Sequence, residues 1–284
     1  MEIKSLEHIG FDALFRGFEN AFSDYEIHFD KEEVRSMLSR RGYDPRLSFA
    51  AFDEGRIVAF TLNGIGHFNG VKTAYDTGTG TAKDYRGQGL AVKIFIYSLP
   101  FLKEAGVRQY LLEVLQGNHK AINVYRRLQF VTKREFDCFR QSIAEISNLD
   151  TSMGYAGIRI ELVDTDVIRA AGAFSDFSPS WQNSIESIER GRDGLTCVGA
   201  FHSGRLVGYC VSDPATGDLT QLAVDRGYRR GGIATQLLRE TIARMSTDFI
   251  KVLNIPSDDT SLHGFLADKN INLMNRQFEM VLPF

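Results

Sequence analysis

The stretch YRGQGLA at 85–91 follows a Thr/Gly-rich segment, TGTGTAKD (77–84), and precedes an apolar run, VKIFIYSLPFL (92–102). An arginine, two glycines and an alanine stand where a strand should pass into a helix. Glycine lets an anion approach the backbone, and a helix N-terminus carries about half a positive charge. The stretch therefore reads as an anion cradle. It also has an echo: DYRGQGLA (84–91) returns as GYRRGGIA (227–234), 143 residues later.

Two further echoes keep the same order. AFSDYE (21–26) returns as AFSDFS (173–178), and AFDEGRIVAF (51–60) as AFHSGRLVGY (200–209), at offsets of 152 and 149. Three matches in register mean two copies of one fold, the second with shorter loops. Each copy opens with a strand (MEIKSL; GIRIELV) and helical material. A hairpin broken at glycine follows: LSFAAFDE-G-RIVAFTLNGI, then LTCVGAFHS-G-RLVGYCVSD. A strand (TAYDTGTGT; DLTQLAV) then leads into the glycine loop and its helix. Pro100 predicts a kink near Ile96 or an early end to the first of these helices. An apolar strand (QYLLEVL; DFIKVLNI) and a last helical stretch complete each copy. The join falls within 141–156, giving domains at 1–145 and 156–284. The expected class is α/β (α+β): two tandem domains, each a mixed, mostly antiparallel central sheet flanked by helices.

The bulk numbers fit. At 284 residues the chain has room for two ordinary cores, and 43% hydrophobic with 24% charged residues is globular. The net charge of −3 argues against a nucleic-acid coat. Neither half is a basic module, with 20 basic and 20 acidic side chains in 1–150 and 13 and 16 in the remainder. Three cysteines without CxxC spacing, no apolar leader and no run long enough to span a bilayer point to a soluble, cytoplasmic protein without a membrane partner. No paired histidines suggest a metal, and no GxSxG elbow suggests a serine nucleophile.

Among glycine-loop chemistries, a P-loop needs GxxxxGK[ST], which is absent. A dinucleotide fingerprint fails at Val92 and follows antiparallel hairpins rather than a βαβ unit. A pyrophosphate held at a helix start remains, with Arg-x-x-Gly-x-Ala in both copies: Arg86, Gly89, Ala91 and Arg229, Gly232, Ala234. The arginines would add charge for a phosphate oxygen.

TAKDYRGQGLA and LAVDRGYRRGGIA resemble the pyrophosphate loop of the GNAT superfamily of N-acetyltransferases, in which it grips coenzyme A. LEVLQGNHKAINVYRRLQF (112–130) is similar to that family's last conserved segment, in the form found in ribosomal-protein N-terminal acetyltransferases, with Gln129 where glycine is usual. The resemblance covers both halves. It implies acetyl-CoA as cofactor, a primary amine of a small molecule or peptide as acceptor, and direct attack. Cofactor contacts implied in the first copy are Thr79, Gly80, Thr81, Arg86, Gly87, Gln88, Gly89, Leu90, Ala91 and Asn118. In the second copy they are Leu222, Ala223, Val224, Arg229, Arg230, Gly231, Gly232, Ile233 and Ala234.

Aminolysis of a thioester needs an oxyanion donor and a proton for the departing sulfur. Tyr125 is the expected acid, and a backbone N–H near Thr79–Thr81 the expected oxyanion donor. Glycines in that strand predict a bulge or a close backbone approach. Glu113 is read either as the general base, acting through water, or as a solvated edge carboxylate. Aligning Asn118 with Asp258 sets Phe265 opposite Tyr125 and Leu253 opposite Glu113, so the second copy is expected to bind cofactor or serve as scaffold without chemistry. Phe11, Phe15, Phe18, Phe22 and Tyr25 form a core face that borders an acceptor wall at 21–30, and Trp181 takes either role in the second copy. A non-catalytic acyl-CoA-binding protein and transfer of a different acyl group remain alternatives.

Overall fold

The computed structural model describes residues 1–24, 29–150 and 155–284. In chain order the first copy runs β1 (Glu2–Ser5), α1 (Phe11–Ala21), α2 (Lys31–Arg41), β2 (Phe49–Asp53), β3 (Arg56–Phe68), β4 (Val71–Thr81), α3 (Leu90–Glu104), β5 (Gln109–Leu115), α4 (His119–Arg127) and β6 (Val131–Ser142). The second runs β7 (Ile158–Leu162), α5 (Thr165–Ala170), α6 (Ile185–Arg190), β8 (Thr196–His202), β9 (Arg205–Asp213), β10 (Asp218–Val224), α7 (Ile233–Ile242), β11 (Phe249–Pro256), α8 (Thr260–Asp268) and β12 (Asn272–Pro283). The expected mixed α/β class and the tandem arrangement are both present.

Local chemistry explains the elements. Glu54-Gly55, Asn69-Gly70 and Ser203-Gly204 all have positive φ at both residues, the backbone of two-residue hairpin turns that match the twist of the flanking strands. Asp30 opens α2 with a capping box: its carboxylate accepts from Glu32 N and Glu33 N, while Glu33 reaches back to Asp30 N at 2.7 Å. Such a cap contributes about 1 kcal/mol. Helix α3 does not stop at Pro100; it continues to Glu104. Pro100 and Ile96 both lie on the solvent side, so water can take the Ile96 carbonyl that loses its intrahelical donor.

The chain divides into two compact units, Met1–Lys133 with Phe278–Phe284, and Arg134–Gln277. These differ from the sequence boundaries 1–145 and 156–284 by an exchange of terminal strands. Most of β6 belongs to the second unit, where it pairs antiparallel with β11. The end of β12 belongs to the first unit, beside β5. Met280 is fully buried there among Tyr110, Leu112 and Phe130, and Phe284 N donates to Arg108 O at 2.8 Å.

In the first unit the strand order is β1-β2-β3-β4-β5-β12. One face carries α1 and α2, with Leu14, Phe18, Val34 and Leu38 packed on Phe60 and Leu62. The other carries α3 and α4, with Leu90 and Ile94 on Ala59, and Phe95 and Ile122 on Tyr110 and Leu112. The second unit repeats the plan in the order β6-β11-β10-β9-β8-β7. Its core joins α7 residues Ile233, Leu237 and Leu238 to Val207, Cys210 and Ile250.

Candidate active site

In the first unit β4 and β5 run parallel but pair at only three positions: Thr73 with Gln109, Ala74 with Tyr110 and Tyr75 with Leu111. Beyond Tyr75 the strands part and leave a fork. The register of β3 against β4 explains how. Leu62 pairs with Gly78 and Asn63 with Asp76, so Thr77 is a bulged extra residue. Thr77 Oγ1 donates to Leu62 O at 2.9 Å, and Arg41 Nη1 donates to Thr77 O at 3.0 Å, which pins the bulge from both sides. The second unit carries its bulge at Thr220, between Leu219–Ser212 and Gln221–Val211, at the same offset of 143 as the glycine loops. There β10 and β11 pair only at Asp218 and Lys251 before parting.

A cavity of about 420 Å³ opens from the fork of the first unit on the α3/α4 face. Thr79, Gly80, Thr81, Arg86, Ala91, Asn118 and Tyr125, all expected from the sequence, line it. Gly87 and Gly89 adopt φ of 78° and 71°, and Gly89 is the N-cap of α3. A Cβ on either would meet nothing within 4 Å, so the loop, Gln88 included, is open outward. The first N–H groups of α3 have no partner inside the helix. Leu90 differs from expectation: its side chain is buried in the core below the loop, leaving its backbone N–H as the group that can face an anion.

The arginines have protein partners of their own. Arg86 holds Asp24 through Nη1 and Nη2, both at 2.6 Å, and donates to Thr81 O and Ala21 O. Arg229 does the same with Asp176 at 2.5 Å, Val224 O and Phe174 O. Each guanidinium is thus committed to a carboxylate and two carbonyls, tying the strand end to the segment after the first helical element. The carboxyls of Asp24 and Asp176 are held below the usual range by these arginines, with Arg226 adding to the second. These bonds anchor the loop, and Arg86 and Arg229 each also line the cavity of their unit.

Tyr125 and Asp76 meet at the cavity. Tyr125, on α4, packs edge-on against Phe130, and burial together with the charge of Asp76 raises its phenol so that it stays protonated. Asp76 lies at the mouth of the fork, where burial pushes its carboxyl up to about 6 against the opposing effect of hydrogen bonds from Thr79 and Gly78 N. Sequence reading missed Asp76, because strand alternation is broken by the bulge one residue later. Tyr110 lines the same wall and donates to Asn63 Oδ1 at 2.5 Å. Asn118 caps α4 by accepting from Ala121 N at 3.1 Å.

Glu113 lies on the other face of β5, as alternation requires, and accepts from Tyr75 Oη at 2.6 Å. It does not line the cavity that holds Tyr125. The fork is therefore bracketed by two carboxylates, Asp76 on the α3/α4 face and Glu113 on the α1 face. Of the expected core face, Phe18 and Phe22 pack together with Phe60, and Phe22, which also belongs to the expected acceptor wall at 21–30, lines the cavity. Residues 25–28, Tyr25 among them, lie outside the described residues.

The second unit has a larger cavity of about 570 Å³, lined by Leu222, Ala223, Val224, Arg229, Arg230, Gly232, Ile233 and Ala234. Arg230 holds φ of 63° where the first copy has Gly87. Gly231 is covered: a Cβ there would fall inside the ring of Tyr155, whose N–H donates to Gly231 O at 3.0 Å. The helix register corrects one alignment. Asp259 is the N-cap of α8, accepting from Leu262 N at 2.7 Å, so Asn118 corresponds to Asp259 and not Asp258. Tyr125 then corresponds to Leu266, which is buried in the core, and Phe265 to Val124. The strand register keeps Leu253 opposite Glu113, sets Leu219 opposite Asp76 and Ile250 opposite Tyr110. Every proton-handling side chain of the first cavity has an apolar counterpart. Among the described residues, no three His, Cys, Asp or Glu side chains cluster so as to hold a metal, and no helix is long and apolar enough to cross a membrane.

Comparison with known proteins agrees with this geometry. The chain is 33% identical over 87 residues to N-alpha-acetyltransferase 30 of Schizosaccharomyces pombe; the match covers 30% of this chain and 58% of the relative's length. Its fold is similar to that of a tandem GNAT protein from the clavulanic acid biosynthesis pathway, with a TM-score of 0.74 at 12% identity over 99% of this chain and 98% of that one. A putative acetyltransferase from Pyrococcus horikoshii aligns with a TM-score of 0.70 at 15% identity, over 100% and 89% of the two chains. Residues 12–130 and 164–266 each match the acetyltransferase (GNAT) family, and with two such regions the chain belongs to that family.

Proposed function

We propose that the first unit transfers an acetyl group from acetyl-CoA to a primary amine by direct attack, and that the second unit performs no transfer. One observation carries this reading: the flanks of the glycine loop (Arg86 and Ala91), a buried phenol and a fork between parallel strands share one cavity in the first unit. The open loop and the orphan N–H groups of α3 fit a pyrophosphate, and the cavity leading to the fork fits a pantetheine arm. Bound there, acetyl-CoA supplies a thioester carbonyl for the amine to attack.

The chain's residues do the rest. Gly87, Gly89 and the first turn of α3 hold the pyrophosphate. Backbone N–H groups near Thr79–Thr81 face the developing oxyanion. Tyr125, kept neutral by its surroundings, donates its proton at the leaving sulfur. Glu113 takes the amine proton on the α1 face, directly or through water, with Tyr75 holding its carboxylate in place. Asp76 stands as the second carboxylate at the fork, and its raised pKa supports a share in proton handling. The similarity to N-alpha-acetyltransferase 30 supports a peptide α-amine among the acceptors, beside small-molecule amines.

The test is thiol release from acetyl-CoA against a panel of amines, with the product identified by mass. Amine-dependent release that gives N-acetyl product is the expected result. Tight acetyl-CoA binding with no amine-dependent release would return the first unit to a binding role.

A further inference from the structure

The equivalence of Thr77 and Thr220 at the two bulges makes Gly78 and Gln221 the same position of the fold. Both follow the bulge, at the fork, on the face away from the cofactor cavity. In the second unit Gln221 closes that face. Its Nε2 donates to Asn183 O at 2.5 Å and its Oε1 accepts from Tyr209 Oη at 2.8 Å. Asn183 Nδ2 in turn donates to Leu253 O at 2.8 Å. Both arms of the fork are thus tied to the turn at Trp181–Asn183, where Trp181 is 1% exposed. The space left beside Gln221 and Asn183 is about 20 Å³, room for about one water.

In the first unit that position has no side chain. Among the described residues, a Cβ on Gly78 would meet a single neighbour, Phe18 Cε2, at 3.9 Å. Gly80, two residues on, is different: its Cβ would strike Phe60 Cζ at 2.6 Å, so packing alone requires glycine there. Packing does not require glycine at 78. Around the opening stand the rings of Phe18, Phe22 and Phe60, with the Glu113 carboxylate across the fork.

We infer that Gly78 is the acceptor gate of the first unit, and that the amine it admits carries an apolar group close to its nitrogen, seated against Phe18. This rests on the acyl-transfer reading. With the cofactor on the α3/α4 face, a direct attack must come through the fork from the α1 face, and Gly78 is the clearance on that route. Phenylalanine rings beside a carboxylate suit an ammonium with an aromatic or branched alkyl neighbour better than a polyhydroxy amine. Gln221 closes the same route in the second unit.

The test transplants the second copy's residue. Gly78→Gln is expected to lower kcat/KM for phenethylamine and isoamylamine by about 30-fold or more while the KM for acetyl-CoA moves less than about twofold. Gly78→Ala, for which there is room, should keep transfer to phenethylamine and lose ground on isoamylamine. Wild type should prefer both amines to ethanolamine. Equal transfer by wild type and Gly78→Gln overturns the gate, as does a parallel loss of acetyl-CoA KM or a preference for ethanolamine. Wild type that transfers to no amine in the panel overturns the acyl-transfer reading itself.

Discussion

Arg86 and Asp24 face each other through two hydrogen bonds of 2.6 Å, and the same guanidinium reaches the carbonyls of Thr81 and Ala21. We propose that the arginine of the glycine-loop motif acts on the cofactor by anchoring the loop. Asp24→Asn and Arg86→Met should weaken coenzyme A binding to the first unit to a similar extent, roughly tenfold, because both release the loop from its anchor. An arginine on the phosphate itself would predict the opposite ranking, with Asp24→Asn neutral or tighter. Titration calorimetry on a background that blocks the second loop separates the two. The pair's pH dependence has a definite sign. Asp24 is lowered in the folded state, so its contribution is present above the ordinary carboxylate pKa and fades as pH falls through the lowered value.

Tyr125→Phe keeps the ring contact with Phe130 and removes the proton. Turnover should fall by about 10²–10⁴-fold with little change in the KM for acetyl-CoA. Thiol-release kinetics read both numbers. Restoring a phenol to the second copy by Leu266→Tyr should create no activity, because Asp76, Tyr110 and the open acceptor face have no counterparts there.

Asp76 has its pKa raised to about 6 by burial, so its ionised form is disfavoured in the folded protein. Between the ordinary carboxylate pKa and about 6 the folded state binds more protons than the unfolded one. Stability is then lost as pH rises across that window and is flat above it. Asp76→Asn should stabilise the protein by roughly 1–3 kcal/mol at pH 8 and by nothing at pH 3. Urea melts at the two pH values check this. If Asp76 shares in proton handling, the same variant also flattens the acid limb of kcat/KM near pH 6.

Gly80→Ala forces a methyl into Phe60 and Ala21, both buried, and should cost about 1–3 kcal/mol. Gly78→Ala, two residues earlier on the same face, should be near neutral in stability. Chemical denaturation of the two variants side by side distinguishes a glycine needed for packing from one that keeps a passage clear.

The repeat was the legible part of the sequence. Matching the glycine loops at an offset of 143 placed both loops and the strands leading into them, because backbone constraints at Gly89 and Gly232 allow few substitutes. What failed did so where one residue is gained or lost. Asp76 looked like an ordinary strand residue, since nothing in YDTGT marks Thr77 as the extra residue that changes which side chains share a face. The shift from Asp258 to Asp259 has the same origin: β11 carries its own irregularity between Val252 and Ile255, with Asn254 at φ 59°. The duties of Arg86 and Arg229 were hidden because their partners lie far away in sequence. Pro100 does not end α3 early, because Ile96 faces water, which can take its freed carbonyl.

The exchange of terminal strands bears on how such a protein can change over generations. The first unit completes its sheet with residues 278–284, which belong to the last strand of the second copy. A mutation that truncates the second copy therefore damages the first one as well. Substitutions that exchange Asp, Tyr and Tyr for Leu219, Ile250 and Leu266 cost the first copy nothing. Under that arrangement the second copy is free to lose its chemistry and is not free to disappear.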